Sequence, residues 1–72
     1  MNKSAKEMFE KLGYELTPHK AIIYKGKHET GRIIRIAFFE NKKILITESI
    51  GLEELQAINQ QCKELGWLDE CV

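Results

Sequence analysis

Length, composition and charge set the first limits on this chain. Its 72 residues have room for one domain and exclude two. With 43% hydrophobic and 31% charged residues, the composition is that of a globular protein and excludes a disordered or fibrous one. The 11 basic and 11 acidic residues balance, but the middle of the chain is basic and the end is acidic. We therefore interpret residues 1–72 as a single domain with a packed core.

The amino terminus and the apolar segments predict a cytoplasmic protein that does not enter a membrane. The first residues lead into an amphipathic stretch, whereas a secretory signal needs a continuous apolar one. The most apolar segment, residues 33–39, contains Arg35 and is far shorter than the roughly 20 residues that span a bilayer. Cys62 and Cys71 are the two thiols of the chain, and we expect both to be reduced.

The first predicted element is a helix over residues 5–12. Ser4 and Glu7 have the spacing of a capping box, in which each side chain satisfies a backbone N–H at the start of a helix. Apolar residues follow at three- and four-residue intervals, and Gly13 can adopt the left-handed conformation that ends a helix. Because Pro18 cannot continue a helix, residues 14–19 are predicted to be a connection.

Three extended segments come next, over residues 21–25, 32–39 and 44–47. Each is rich in β-branched and aromatic side chains, which favour strands. Two polar segments, residues 26–31 and 40–43, separate them, and Asn41 is suited to a positive φ in the second. This pattern predicts a three-stranded antiparallel meander.

The last predicted element is a helix that begins around Gly51 and ends at Gly66. Glu53 and Glu54 lie in its first turn, where carboxylates interact favourably with the helix dipole. Its predicted inward side is Leu55, Ile58, Cys62 and Leu65. The fold class is therefore α+β, in the order helix, three strands, helix (αβββα), with both helices on one face of the sheet.

Alternation along the strands divides the predicted sheet into two unlike faces. The face assigned to the helices carries no charge and consists of Ile22, Tyr24, Ile34, Ile36, Phe38, Ile44 and Ile46. The opposite face mixes apolar and basic residues, which is unusual because small antiparallel sheets commonly place polar residues outside. We predict that a partner binds at Ile23, Ile33, Arg35, Phe39 and Leu45, and that this partner is another protein or a second copy of the chain. An ordinary surface with scattered apolar residues is the alternative.

Nucleic acid is a further candidate partner, through Lys25, Arg32, Arg35 and Lys43. The order of elements resembles that of double-stranded-RNA-binding domains, which have a basic start to the last helix that binds phosphates. Here Glu53 and Glu54 occupy that position and would repel phosphate. Protein contact is therefore favoured over nucleic acid.

No catalytic, metal or cofactor site is predicted. Ser4 and Ser49 lie at or just before helix starts, where serine acts as a cap. His19 and His28 lie in predicted connections, with no base or nucleophile at a telling spacing. Zinc sites need closely spaced cysteine or histidine pairs, which this chain lacks.

Two helical segments carry a resemblance to a known group of proteins. They are Ala5-Lys6-Glu7-Met8-Phe9-Glu10-Lys11-Leu12-Gly13-Tyr14 and Leu52-Glu53-Glu54-Leu55-Gln56-Ala57-Ile58-Asn59-Gln60-Gln61-Cys62-Lys63-Glu64-Leu65-Gly66-Trp67. Together they resemble short uncharacterised phage and prophage proteins of Gram-positive bacteria, although Gly51 stands where that group has threonine or serine. The resemblance implies a mobile-element origin and no established activity. Small phage proteins often act by binding host or phage proteins, including anti-CRISPR and regulatory roles, and these residues select none of them.

Overall fold

The computed structural model describes residues 4–17 and 21–68 and has two helices and a four-stranded antiparallel sheet. The elements in chain order are α1 (Ala5–Lys11), β1 (Glu15–Thr17), β2 (Ile22–Lys27), β3 (Ile33–Phe38), β4 (Ile44–Ile46) and α2 (Leu52–Glu64). Neighbouring strands in the chain are neighbours in the sheet, whose order is β1-β2-β3-β4. The predicted α+β class is confirmed, and the number of strands is four instead of three.

The additional strand is β1, which falls in the segment predicted to be a connection. Leu16 lies opposite Tyr24 of β2, and the Thr17 hydroxyl donates to the Ile23 carbonyl at 3.0 Å. A strand of three residues is too short to show an alternating pattern, so its pairing is decided by the neighbouring β2. A signal was available in Thr17, which is β-branched and precedes Pro18, and a residue before proline favours extended backbone. Residues 18–20 of the predicted connection lie outside the described residues.

The start of α1 and the ends of both helices have the capping residues that the sequence predicts. The Ser4 hydroxyl accepts the Glu7 N–H at 3.2 Å, and the Glu7 carboxylate accepts the Ser4 N–H at 3.1 Å, so the capping box forms. Gly13 has φ +93° after α1, and Gly66 has φ +76° after α2. Because only glycine adopts these angles without a steric penalty, both glycines act as helix terminators.

The core lies between the helices and the central strands. The Phe9 ring of α1 stacks on the Tyr24 ring of β2 with centroids 3.9 Å apart, and the Tyr24 hydroxyl donates to the Gln61 side chain of α2 at 2.7 Å. The remaining buried members come from both helices and from one face of β2 and β3. The complete cluster is Ala5, Phe9, Tyr14, Tyr24, Ile34, Ile36, Phe38, Ala57, Ile58 and Cys62.

The predicted inward side of α2 is wrong at Leu55, which is exposed. Ala57 and Gln61 are buried in addition to the predicted Ile58 and Cys62. Ala57 is fully buried, and Gln61 is held inward by its hydrogen bond to Tyr24. A pattern based on apolar residues alone therefore includes Leu55 on the inward side and leaves out Gln61.

The predicted burial of β4 under the helices is also wrong. Ile44 and Ile46 belong to the face on which the helices pack, but both are exposed. The buried residues of that face are on β2 and β3, the two central strands. Two helices cover these two strands, and β4 at the edge of the sheet extends beyond them.

The turn between β3 and β4 differs from the prediction by one residue. Lys42, and not Asn41, has the positive φ, at 64°. The Lys42 N–H donates to the Phe39 carbonyl at 3.0 Å, and the Phe39 N–H donates to the Lys43 carbonyl at 2.9 Å. This is the pattern of a three-residue hairpin loop, in which the last loop residue is left-handed. Asn41 contributes its side-chain oxygen, which accepts the Lys43 N–H at 3.2 Å.

Candidate functional site

The side of the sheet that faces away from the helices is the candidate site, and we call it the open face. Strand register assigns its residues, because directly paired residues project to the same side. One row is Thr17, Ile23, Ala37 and Leu45, and the next is Glu15, Lys25 and Arg35. Ile33 and Lys27 pair at one end of the face, and Phe39 and Lys43 pair at the other.

Apolar side chains on the open face are accessible to a partner. Ile33, Phe39 and Leu45 are 46%, 38% and 51% exposed, respectively. Ile23, the remaining apolar residue of the predicted partner-binding set, is half-buried, and Arg35 is exposed. The exception on this face is Ala37, which is buried because its larger row neighbours, Ile23 and Leu45, cover its methyl group.

Charge on the open face is mostly positive. Lys25 lies directly opposite Arg35 in the ladder, and Lys43 lies opposite Phe39. One carboxylate, Glu15 of β1, lies on the other side of Lys25. Sequence reasoning missed Glu15 as part of this face because it missed β1. The open face therefore consists of an apolar strip with cations beside it and one acid at the β1 edge.

Arg32, which belongs to the predicted nucleic-acid set, lies apart from the other three cations of that set. It is in the loop between β2 and β3, where its Nη1 is 3.9 Å from the Glu48 carboxylate. The structure thus brings Lys25 and Arg35 together and places Arg32 outside the ladder. A phosphate backbone that crossed the open face would meet two adjacent cations and then Glu15.

A cleft of about 290 Å³ lies between the β2–β3 loop and the start of α2, and its lining includes Leu12, Tyr14, His28, Ser49 and Glu54. His28 Nε2 is 2.9 Å from the Ser49 carbonyl oxygen and 3.3 Å from the Ser49 hydroxyl. A carbonyl oxygen only accepts, so Nε2 carries the hydrogen and cannot take a proton from that hydroxyl. Thr30 occupies the other ring nitrogen, with its hydroxyl 2.9 Å from Nδ1. His28 therefore fastens the hairpin loop to the segment before α2.

The Tyr14 ring, which lines this cleft, packs directly against the backbone of Gly26. At Gly26 of β2, an added Cβ would lie 2.9 Å from Cδ2 of the Tyr14 ring, closer than real carbon contacts. The ring thus occupies the space that a side chain would fill. Burial raises the pKa of the Tyr14 phenol, and the neighbouring Glu54 carboxylate raises it further.

The pKa values of Tyr24 and Cys62 are also raised, which keeps both groups protonated at neutral pH and opposes a catalytic role. Burial raises the pKa of Tyr24 to about 12, with smaller contributions from the charges of Glu64 and Glu10. Burial also raises the pKa of the Cys62 thiol. A thiol acts as a nucleophile through its thiolate, and a raised pKa lowers the thiolate fraction. Cys62 is therefore a core residue with an inert thiol.

Metal ligands do not converge within residues 4–17 and 21–68, where no three His, Cys, Asp or Glu side chains are grouped. His19 and Cys71 lie outside those ranges. Neither helix of the described residues has the length and apolar character needed to cross a bilayer.

Comparison with known proteins found no matching family model, no matching curated protein and no matching solved structure. The resemblance of the helical segments to phage and prophage proteins accordingly stays a prediction. Any assignment of function must be argued from the open face itself.

Proposed function

We propose that this chain is a non-enzymatic, single-domain binding module of phage or prophage origin, which acts in the cytoplasm by docking another protein on its open face. The observation that carries the proposal is the exposure of Ile33, Phe39 and Leu45 on the side of the sheet that neither α1 nor α2 covers. Phe39 and Leu45 adjoin Ile23 and Ala37 in one apolar strip, and Ile33 lies beyond the row of Lys25 and Arg35. Exposed apolar surface of this kind is typical of interaction sites. A non-enzymatic role is supported by His28, both of whose ring nitrogens are engaged in structural contacts.

The composition of the open face indicates the chemistry of the partner. Interfaces combine an apolar centre with a polar rim, and their charges are complementary. Lys25, Arg35 and Lys43 beside the apolar strip fit a partner that presents apolar side chains with carboxylates around them. A second copy of this chain, docked open face to open face, is the homodimeric form of the proposal.

The test is the substitution Phe39→Glu, compared with Leu52→Glu as a control. Leu52 is exposed in α2, on the opposite side of the sheet from the open face. Tagged wild-type protein and both variants are used for capture from a Gram-positive bacterial lysate, followed by mass spectrometry. We expect one partner that is retained by the wild type and by Leu52→Glu and lost by Phe39→Glu, with circular dichroism showing that all three are folded.

Equal capture by the wild type and by folded Phe39→Glu would contradict the proposal.

Sedimentation equilibrium tests the homodimeric form of the proposal. In that form, Phe39→Glu converts a dimer to a monomer, whereas Leu52→Glu leaves the dimer intact. A charge introduced into a small apolar interface should raise the dissociation constant by about tenfold or more.

Nucleic acid is the second candidate, and the ladder pair Lys25 and Arg35 together with Phe39 and Lys43 supports it. Cations beside an exposed aromatic ring suit single-stranded nucleic acid, which binds by charge and stacking. Gel shifts at low salt with single- and double-stranded probes test it. Retardation that Lys25→Glu abolishes would support this candidate, and the absence of retardation would remove it.

A further inference from the structure

The outer edge of β4 is the most apolar edge of the sheet. Ile44, Leu45 and Ile46 are consecutive, all three are exposed, and no charge interrupts them. Soluble proteins commonly protect edge strands with charges, bulges or covering elements, because an edge presents unpaired backbone groups to other chains. The β1 edge is different, because Glu15 and Thr17 flank its single apolar residue, Leu16.

Backbone hydrogen bonds show which residues of β4 point outward. The Phe39 N–H donates to Lys43, and the Thr47 N–H donates to Arg35, so residues 43 and 47 bond inward to β3. Leu45, halfway between them, pairs with Ala37 in the same phase. Inward and outward residues alternate along a strand. The N–H and C=O groups of Ile44 and Ile46 therefore project away from the sheet.

We propose that β4 pairs antiparallel with β4 of a second copy, around a two-fold axis at Leu45. In this register, Ile44 of one copy lies opposite Ile46 of the other, and the outward groups of these residues form four backbone hydrogen bonds. The exposed isoleucine side chains of both copies meet on the helix side, and the two Leu45 side chains meet on the open face. A two-fold contact requires a surface complementary to itself, and this register supplies it.

Charge complementarity favours this occupant of the edge. Continued beyond the strand, the same register places Lys43 opposite Thr47 and brings the Lys42 loop position of each copy near Glu48 of the other, which lies 3.9 Å from Arg32 of its own copy. No like charges are opposed. A partner with an unrelated edge strand would have to supply this arrangement independently, whereas a second copy supplies it by symmetry. The product is an eight-stranded sheet in which two open faces lie side by side.

This inference goes beyond the proposed function and does not depend on it. It is tested by sedimentation equilibrium of the wild type, Ile46→Lys and Leu16→Lys. Leu16 and Ile46 are each 38% exposed and occupy opposite edges of the sheet, which makes Leu16→Lys a matched control. We expect a wild-type dimer, an unchanged dimer for Leu16→Lys, and a dissociation constant raised about tenfold or more for Ile46→Lys.

A charge exchange gives a second test at residues that do not contribute to the core. Lys42→Glu should weaken the dimer by about threefold or more, because two attractive pairs become repulsive. The double variant Lys42→Glu/Glu48→Lys should restore it relative to either single variant, and Glu48→Lys alone controls for the loss of the contact with Arg32. If circular dichroism shows that Ile46→Lys does not fold, these charge variants still test whether the dimer forms through β4.

Two results would overturn the inference. One is a wild-type chain that is monomeric at millimolar concentration. The other is a dimer that persists in Ile46→Lys and in Lys42→Glu but dissociates in Phe39→Glu, which would place self-association on the open face. Failure of the proposed function is distinguishable, because it is seen as capture of a partner that Phe39→Glu does not diminish.

Discussion

Lys42 is the residue at which local conformation and residue type disagree most. Among the described residues, it alone combines a positive φ with a side chain. The left-handed region costs an ordinary L-residue roughly 1–2 kcal/mol, because Cβ approaches the following carbonyl oxygen. The hairpin loop imposes this conformation on its last residue, whatever that residue is.

Replacement of Lys42 by glycine should therefore stabilise the protein relative to replacement by alanine. Both variants lose the lysine charge, so the difference between them isolates the backbone term. We expect Lys42→Gly to have a free energy of unfolding about 1 kcal/mol higher than Lys42→Ala, as measured by urea denaturation. Equal stability of the two variants would show that position 42 is not left-handed in solution.

The same loop shows what sequence reasoning misses at the scale of a residue. Asn41 was the expected left-handed residue because asparagine tolerates that region better than lysine does. The position is set instead by how many residues lie between the paired Phe39 and Lys43. Loop length follows from strand register, which depends on contacts distant in the chain.

At the scale of elements, Glu64 connects the end of α2 to the start of α1. Its carboxylate, at the last residue of α2, accepts the Ala5 N–H at the first residue of α1, at 2.7 Å. Gln60 donates to the same carboxylate oxygen at 3.0 Å. The first N–H groups of a helix have no partner within it, and a negative charge near them is favourable. Glu64 thus caps a helix other than its own.

Substitution of Glu64 by alanine should lower the free energy of unfolding by about 1–2 kcal/mol, because the Ala5 N–H loses a charged acceptor. Glu40→Ala is the control, since Glu40 lies exposed in the turn after β3, and we expect a change within about 0.5 kcal/mol. Thermal or urea denaturation measures both. A loss at Glu64 no larger than the loss at Glu40 would show that this helix-to-helix contact contributes nothing in solution.

Elements with strong local signals agree with the sequence prediction, and those that depend on tertiary contacts do not. α1 and the strands β2, β3 and β4 fall within about two residues of the predicted limits, because capping residues and alternation are local. β1 was missed because its pairing depends on β2. The inward side of α2 was shifted because Gln61, a polar residue, is buried by a bond to Tyr24.

The open face could be predicted because it follows from alternation within each strand, whereas β1 could not because its pairing depends on a separate strand. Alternation along β3 places Ile33, Arg35 and Phe39 on one side before any contact is known. Which side the helices cover follows from the uncharged face, and the stacking of Phe9 on Tyr24 agrees with it. The acid Glu15 at the β1 edge could not be placed, because its position depends on the missed strand.

At the scale of the whole molecule, the two layers are joined through Tyr24. It stacks on α1, bonds to α2 and belongs to a central strand, and it is almost fully buried. Loss of its proton would place a charge in the core. The ionisation of Tyr24 is therefore linked to the unfolding of the entire domain.

Alkaline pH should destabilise the protein. The pKa of Tyr24 is raised from 10.0 in the unfolded chain to about 12 in the folded one, so the folded state holds its proton more tightly. The stabilising contribution of this group is complete below pH 10 and is lost as the pH rises from 10 through about 12. Urea denaturation between pH 8 and 11 measures this loss.

Tyr24→Phe serves as the control for the alkaline experiment. At neutral pH it should cost about 1–3 kcal/mol, because the buried Gln61 oxygen loses its donor. Above pH 10 its stability should fall less steeply than that of the wild type, with Tyr14 and Cys62 contributing to the slope that remains. Identical slopes for the two proteins would exclude Tyr24 as the titrating group.

The bare backbone at Gly26 has a consequence for the architecture itself. Tyr14, the residue immediately before β1, is seated where a methyl group at position 26 would stand. Even alanine there would bring a methyl group within 2.9 Å of the ring, so the ring or the backbone would have to move. A glycine at position 26 therefore makes room for the residue after which the fourth strand begins.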